Sequence, residues 1–378
     1  MIPTLSELFG VMGFELPSDS RNLYEINLHN YYGKKYYGIP YILPPASIIE
    51  SAIKGELVIC FMFHAEGIAN DRLLLALHTW CEKLNIPTSS VCYFSSCVNF
   101  DYLYKSFCER HAVSGLSHVY VPSFFILKKE QGIVTTKPVT KKFINLSRKI
   151  RTHRYIFQIL LFYRGLNECF YLSQPTTKEP LHLSDIEQTF SKYGFIVDSA
   201  MRLAIADWQK ALPLLVDWDK NTDINDTMLT LGTTLLPYFE TSLFHVVGET
   251  LFKDNEIFIT EKSLKPFYYF QLPLWVAAAG TVAALRTCGF DVFDDIIDHS
   301  YDSIEDNASR LIAVVNEVSR LNDKFSLDQC SMLRTSIRDR LALNSELSIN
   351  WFEKNKLEQQ QLFHNQLLKI LRKNNERT

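Results

Sequence analysis

The sequence predicts an α/β protein with two parallel-sheet domains that face each other across a central cleft, followed by C-terminal helices. Three observations predict this fold class. The chain has 378 residues and is 47% hydrophobic, which is enough for two buried cores. Short apolar runs of strand type alternate with segments of helical periodicity. The alternation stops in a polar stretch, Lys128–Lys142, and then begins again.

The first half of the chain alternates between strands and helices. Glu56–Phe63 is a continuous apolar run that follows Gly55, and Asn70–Leu84 carries leucines at the spacing of a helix. The pattern continues with predicted strands at Ser90–Phe94 and His118–Leu127 and a predicted helix at Tyr102–His111. Strands separated by helices favour a parallel sheet, and we place the end of this domain near residue 140.

The second half repeats the pattern. The predicted strands are Phe143–Leu146, Leu243–Gly248 and Leu272–Ala278, and the predicted helices are Tyr155–Arg164, Glu261–Phe270 and Asn307–Leu321. From Leu327 the chain is predicted to be mostly helical. We therefore predict a Rossmann-like domain at residues 1–140, a second Rossmann-like domain at 141–325 and a helical extension at 326–378. Parallel sheets bind ligands outside the carboxyl ends of their strands, so we expect a ligand in the cleft.

Composition excludes several classes of protein. The chain has 39 basic and 42 acidic residues and a net charge of −3, unlike proteins that hold nucleic acid by bulk positive charge. The longest uncharged apolar run, Leu272–Leu285, is shorter than the roughly 20 residues that cross a bilayer. The N-terminus lacks the regions of a signal peptide, and the eight cysteines show no zinc spacing. We expect a cytoplasmic protein with reduced thiols and no membrane span.

A run of cations lies between a predicted strand and a predicted helix. Lys141–Arg154 reads KKFINLSRKIRTHR and contains no acid. Its candidates for binding an anion are Arg148, Arg151, His153 and Arg154. Cations beside a helix N-terminus form an anion site, because backbone N–H groups and the helix dipole add to the side chains. A solvated basic linker is the alternative interpretation.

A second motif combines a strand-end carboxylate with a helix start. Glu249 follows an apolar strand, and Thr260, Glu261 and Lys262 begin a predicted helix that also contains Lys265. Thr260 is a typical N-cap, and Glu261 by itself is explained as a partner of the helix dipole. Lys262 opposes that dipole, and a bound anion would remove the conflict.

Two further groups carry charge. His64, Glu66 and Asp71 follow the apolar strand of the first domain, where a carboxylate can act as a general base on an acceptor, with Glu66 the first choice. An ordinary strand-end loop is the alternative. The seven acids between Asp291 and Asp306 lack the D-x-D spacing of a metal site, and we predict a solvated, partly helix-capping surface. Contacts with the donor or closure against the basic loop are the alternative.

The second motif resembles the donor-binding motif of the α1,3-fucosyltransferases. In that family a Glu after an apolar strand precedes a T-E-K helix start and then a strand after a proline, here Glu249, Thr260-Glu261-Lys262 and Leu272-Pro273-Leu274. This chain has Thr250 where the family has Asn, so the resemblance leaves the sugar open. Residues 140–320 also resemble uncharacterised glycosyltransferases encoded by large DNA phages. The shared segments are Asn145–Arg154, Ile259–Pro266, Gly289–Phe293 and Ile296–Asp302.

The resemblance implies a GT-B fold and transfer of a sugar from a nucleotide-diphosphate sugar. It implies that Glu261 contacts the ribose, that Lys262 contacts the diphosphate, and that an arginine, Arg148 first and Arg151 second, also binds the diphosphate. Because these cations can stabilise the leaving group, we expect no obligatory metal or other cofactor. The acceptor is a glycan or, by the phage resemblance, a hydroxymethylated DNA base, in the host cytoplasm.

Two alternatives to this activity stay open. One is a non-catalytic protein that binds a nucleotide sugar in a degenerate cleft. The other is an interaction protein whose helical tail is the functional part.

Overall fold

The computed structural model describes residues 23–31, 35–63, 67–122, 137–147, 150–174, 182–214, 235–253 and 255–375. Contacts between residues divide the chain into two compact units. The first unit contains the described residues up to 122, Glu256–Ile259 and the chain from Trp351 onward. The second unit contains the described residues from 137 to 255 and those from Thr260 to Asn350.

The first unit holds a parallel four-stranded sheet. Its strands are β1 (Leu23–Asn27), β2 (Val58–Phe63), β3 (Val91–Ser95) and β4 (Ser117–Tyr120), in the order β1-β2-β3-β4. Every residue of β2 and β3 is buried, as expected for inner strands of a parallel sheet covered on both faces. This burial explains why these strands read as continuous apolar runs in the sequence.

Helices α1 (Ala46–Ile53), α2 (Asp71–Lys83) and α3 (Phe100–His111) belong to the first unit. The Asn70 side chain caps α2 by accepting a hydrogen bond from the Leu73 N–H. Trp80 of α2 packs its ring edge-on against Phe61 of β2, with ring centroids 5.0 Å apart. The unit also has 3₁₀ turns at Leu28–Tyr31, Lys35–Tyr41 and Thr88–Ser90.

The second unit holds another parallel four-stranded sheet with a different connection order. Its strands are β5 (Phe143–Leu146), β6 (Phe170–Ser173), β7 (Phe244–Gly248) and β8 (Leu272–Val276), in the order β6-β5-β7-β8. The chain leaves β5 toward β6 and later returns to the opposite side of β5 as β7. The crevice between the carboxyl ends of β5 and β7 is therefore a topological switch point.

Nine helices of the second half complete the described structure. They are α4 (Thr152–Tyr163), α5 (Leu183–Lys192), α6 (Ser199–Ala211), α7 (Leu236–Glu240), α8 (Glu261–Tyr268), α9 (Thr281–Thr287), α10 (Asn307–Lys324), α11 (Leu327–Ser336) and α12 (Arg338–Asn375). Two 3₁₀ turns, Asn167–Cys169 and Ser300–Ser303, accompany them. None of the helices in the described ranges is long and apolar enough to cross a membrane.

The predicted α/β class with two parallel sheets is confirmed, and some element boundaries differ. Helix α4 begins at Thr152, three residues before its predicted start, so His153 and Arg154 belong to a helix and not to a loop. Of the strand predicted at His118–Leu127, the structure has Ser117–Tyr120, and residues 123–127 lie outside the described residues. None of the eight cysteines forms a disulfide, and five of them are buried.

Candidate functional site

The switch point of the second unit is where the sheet opens. Strands β5 and β7 pair only at Phe143 with Phe244 and at Ile144 with His245. Beyond that pairing, the Asn145 side chain bridges the two strands by donating a 2.7 Å hydrogen bond from Nδ2 to the Val246 carbonyl. Ligands of open α/β sheets bind in this kind of crevice.

Glu249, at the carboxyl end of β7, uses its carboxylate to hold the start of α8. The side chain is 1% exposed and accepts from the Thr260 N–H at 3.0 Å and the Thr260 hydroxyl at 2.7 Å. The Ser263 hydroxyl at 2.7 Å and the Ser263 and Thr250 N–H groups donate as well. Glu249 therefore supplies the negative charge at this helix N-terminus that the sequence led us to expect from a bound anion.

The main-chain carbonyl of Glu249 holds the start of α4. It accepts a 2.8 Å hydrogen bond from His153 Nε2 and a 3.0 Å hydrogen bond from Arg154 Nη2. Burial lowers the pKa of His153 to about 3, and the neighbouring Arg154 and Arg151 charges act in the same direction, so the ring is neutral and carries its proton on Nε2. One residue thus joins the N-termini of two helices.

Arg154 reaches Glu249 by passing over Gly248. A Cβ atom at position 248 would lie 3.1 Å from Arg154 Cγ and 3.3 Å from Arg154 Nε, which is closer than ordinary contact. Burial lowers the pKa of Arg154 to about 10, with the Arg151 charge acting in the same direction, and the guanidinium stays charged at neutral pH. His153 and Arg154, predicted to bind a ligand, are buried side chains that brace β7.

A stack of three side chains supports this arrangement. The His153 ring lies parallel to the Phe252 ring at 5.1 Å, and the Arg310 guanidinium lies 4.4 Å from the centroid of the Phe252 ring. Arg310 is 1% exposed and donates to the carbonyls of Phe252, Ala277, Ile304 and Glu305 and to the Asn307 side chain. A role for Arg310 was not predicted from the sequence. The sign of it in the sequence is a basic residue next to the apolar stripe of α10.

Glu261 and Lys262 begin α8 and form a close ion pair. Lys262 Nζ lies 2.6 Å from Glu261 Oε1 and 3.3 Å from Thr260 Oγ1, and the lysine side chain is 29% exposed. Burial opposes ionisation of Glu261, but Lys262 and Lys265 outweigh it, and the pKa of Glu261 is lowered. The pair therefore presents a carboxylate and a partly exposed cation side by side.

The N-terminus of α4 has neither a capping side chain nor an acid in its first turn, and its N-cap residue is Arg151. The positive end of the helix dipole, Arg151 and Arg154 thus lie together, which is the environment that binds anions. The Arg151, Glu249 and Glu261 charges all act on the pKa of Arg154, so the starts of α4 and α8 share one electrostatic environment. Arg148 lies outside the described residues.

Of the three residues predicted on the acceptor side, the structure describes Asp71 in the first unit. His64 and Glu66 lie outside the described residues. Asp71 is the first residue of α2, is half exposed, forms an ion pair with Arg110 at 2.7 Å, and lies 3.6 Å from His111 Nε2. The Asp71 carboxylate is therefore a surface ion-pair partner and a negative charge at the start of α2.

The acidic segment from Asp291 to Asp306 serves the architecture. Asp302 accepts from the N–H groups of Val282 and Ala283 and so caps α9. Asp306 is the N-cap of α10. The remaining ion pairs join Asp294 to Arg286 and both Asp291 and Asp295 to Arg340. These contacts agree with the predicted capping surface.

The described part of the chain contains no group of three or more His, Cys, Asp or Glu side chains arranged to hold a metal ion. The chain matches no protein-family model, no curated protein and no solved structure. The resemblance to fucosyltransferases and phage glycosyltransferases therefore stays a prediction, and the site is interpreted from its own geometry.

Proposed function

We propose that this protein is a glycosyltransferase that moves a sugar from a nucleotide-diphosphate sugar to an acceptor hydroxyl. The observation that carries the proposal is the meeting of two helix N-termini at Glu249, at the switch point of the second sheet. One of them, that of α4, begins with cations and has no acid in its first turn. Nucleotide phosphates bind in this position in open parallel sheets.

In this proposal the diphosphate lies at the start of α4. Arg151 and the first N–H groups of α4 contact the phosphates from one side, and Lys262 contacts them from the other. Glu261 accepts hydrogen bonds from the ribose hydroxyls. The Glu249 carboxylate occupies the N–H groups of α8, so we assign backbone recognition of the phosphates to α4.

The reaction breaks the bond between the anomeric carbon of the sugar and the diphosphate oxygen. The acceptor oxygen forms the new bond to that carbon, and a base takes the acceptor proton. Negative charge grows on the leaving diphosphate, where preorganised cations lower the barrier. Glu66 is the proposed base, and His64 is the second choice. Asp71 is a weaker candidate, because it already forms an ion pair with Arg110.

A panel of ligands tests the proposal by thermal shift and calorimetry. We expect one of UDP, GDP or their sugars to raise Tm and to bind, and mass spectrometry to detect sugar transfer to a glycan or to hydroxymethylated DNA. Binding without turnover on any acceptor would favour the non-catalytic alternative. The absence of binding by every nucleotide would refute both interpretations of the site and leave an interaction protein.

A matched pair of variants assigns the base. Glu66→Gln is expected to keep nucleotide binding and to abolish transfer, because an amide cannot take the acceptor proton. Glu50→Gln, a change of an exposed glutamate on α1, is the control and is expected to keep both. Full transfer activity in the Glu66→Gln variant would show that another residue is the base.

A further inference from the structure

Two buried polar side chains at the carboxyl edge of the second sheet have no hydrogen-bond partner among the described residues. They are Ser147, which follows β5, and Gln174, which follows β6, and both are 0% exposed. The Ser147 hydroxyl and both the Oε1 and Nε2 atoms of Gln174 are unpartnered within the described ranges. Buried polar groups in native proteins are nearly always paired, so three such atoms at one place require an explanation.

The two side chains lie next to each other on one face of the sheet. Leu146 pairs with Ser173 in the parallel ladder, and the Ser147 N–H donates to the Ser173 carbonyl at 3.1 Å. Ser147 and Gln174 therefore occupy the next register position, where side chains of parallel neighbours point the same way. Asn145, two residues before Ser147, bonds Gln158 of α4, so this is the face that α4 covers.

A second buried glutamine in the same layer shows what a structural role requires. Gln158 is also 0% exposed, but its amide donates to Asn145 Oδ1 at 3.0 Å and to the Ser173 carbonyl at 3.1 Å, and it accepts from Trp208 Nε1 at 3.2 Å. Gln158 thus has its polar atoms satisfied by the protein. The Gln174 amide, farther along the same sheet, has no such partners among the described residues.

We propose that Ser147 and Gln174 recognise the nucleobase of the donor, an inference that rests on the proposed function. An amide offers one donor and one acceptor in a plane, which matches the edge of a base that carries an acceptor next to an N–H. A phosphate only accepts hydrogen bonds, so the Gln174 carbonyl oxygen would repel it. A flat ring with one polar edge also leaves fewer polar groups to satisfy in a buried place than a sugar with hydroxyls all around.

The spacing of the strands suits this assignment. Strands β6, β5 and β7 are consecutive neighbours, so the end of β6 and the end of β7 are two strand spacings apart, roughly 10 Å. A nucleotide that lies across the carboxyl edge can then place its base at Gln174 and Ser147 and its phosphates between Arg151 and Lys262. Separate residues would then recognise the base and the diphosphate, so their contributions to the binding affinity can be measured separately.

Calorimetry on the full chain separates the contribution of the base from that of the diphosphate by using two kinds of probe. The nucleotide probes are UDP, GDP, ADP and CDP, and inorganic pyrophosphate is the probe without a base. The test variants are Gln174→Leu and Ser147→Ala, with Gln174→Met as a second, unbranched replacement. Lys262→Ala serves as the reciprocal variant, and Gln158→Leu is the matched control for burial.

We expect Gln174→Leu and Ser147→Ala each to raise the Kd of the preferred nucleoside diphosphate about tenfold and to leave the Kd of pyrophosphate unchanged. Lys262→Ala should weaken both probes. Because Gln174→Leu removes no side-chain hydrogen bond to the described protein, its Tm should stay within about 2 °C of wild type, whereas Gln158→Leu should lower Tm by about 4 °C or more.

Three results would overturn the inference. Unchanged nucleotide affinity in the Gln174 and Ser147 variants would show that the base lies elsewhere. A loss of Tm in Gln174→Leu and Gln174→Met as large as that in Gln158→Leu would show that the amide is structural. If wild type binds pyrophosphate as tightly as it binds every nucleotide, the base adds nothing to the affinity. That result would rule out base recognition but would still support the diphosphate site. If wild type binds none of the probes, the proposed function fails, and this inference fails with it.

Discussion

At the residue scale, Glu249 makes the contacts on which the rest of the site depends. Its carboxylate and its carbonyl each receive donors from a different helix, and the residue is almost completely buried. An isolated buried carboxylate costs several kcal/mol, and it is tolerated here because hydroxyl and N–H donors surround it. The sequence placed Glu249 correctly at a strand end, but a donor-binding role and a helix-capping role have the same sequence pattern.

The capping role of Glu249 predicts a loss of stability on substitution. Glu249→Gln removes the charge and turns one acceptor into a donor that faces the donors of Thr260 and Ser263, so we expect about 2–4 kcal/mol of lost unfolding free energy. Urea unfolding of the variant and of wild type measures this loss of free energy. Glu187→Gln, which breaks only a surface pair with Arg202, is the control and should cost less than about 1 kcal/mol. Equal effects of the two changes would contradict the capping role.

The partly exposed Lys262 predicts a binding effect. Lys262→Ala should raise the Kd of the bound nucleoside diphosphate by roughly 10- to 150-fold, because a charge-assisted contact is worth about 1.5–3 kcal/mol. Lys210→Ala, on the exposed side of α6, should not change the Kd. Calorimetry at two salt concentrations checks both variants. A Kd for Lys262→Ala equal to that of wild type would remove Lys262 from the site.

At the scale of elements, the two helix starts at the switch point differ in how their N-termini are capped, and the sequence shows only part of this difference. Both begin after a parallel strand and both carry cations. Helix α8 has a cap from Thr260 and a buried carboxylate from Glu249. Helix α4 begins at Thr152 after the N-cap residue Arg151, without a capping side chain or an acid in its first turn. The difference arises because Glu249 reaches α8 from 11 residues earlier in the chain and gives α4 its carbonyl instead of its carboxylate.

Helix α10 contributes a second element-scale feature through Arg310. Its guanidinium joins the loops after β7 and β8 by donating to the carbonyls of Phe252 and Ala277. Arg310→Met keeps much of the volume but leaves these buried carbonyls without donors, so we expect a loss of about 3–5 kcal/mol in the unfolding free energy. The exposed Arg338→Met is the matched control and should change it by less than about 0.5 kcal/mol. If Arg310→Met loses as little unfolding free energy as Arg338→Met, the guanidinium is not needed to stabilise these loops.

At the scale of the whole molecule, buried histidines connect folding to pH. Burial lowers the pKa of His118, His153 and His245 from 6.5 to about 3. In the unfolded chain all three rings take up protons below about pH 6.5, while in the folded chain they stay neutral down to about pH 3. Their contribution to stability is therefore complete above about pH 6.5 and decreases as the pH falls from there toward about 3.

This linkage predicts acid sensitivity of a stated size. Each ring contributes a slope of about 1.4 kcal/mol per pH unit in that window, and the three together contribute about 4.1 kcal/mol per unit. Urea unfolding at about pH 7.5, 6.0 and 5.0 measures the slope. The His153→Gln variant should lose about a third of the slope, whereas the exposed His182→Gln should keep all of it. A stability that stays constant across these three conditions would contradict the neutral buried state of the three rings.

The sequence was sufficient to predict the α/β class, most strands, and the stretches where cations and acids collect. These properties follow from local patterns, since a buried parallel strand reads as an apolar run wherever it lies in the sheet. Helix starts were less predictable: the apolar stripe of α4 begins at Tyr155, while the helix itself begins three residues earlier, where His153 and Arg154 are buried by contacts with the end of β7.

The strand order β6-β5-β7-β8, the partners of Glu249 and the unpartnered Gln174 amide of the described structure are known only from the tertiary structure. Strand order depends on which strands pair after a long stretch of intervening chain, and no local pattern records that pairing. Asn145 is 101 residues from Val246 and His153 is 96 residues from Glu249, so the contacts that build the crevice exist only once the sheet has formed.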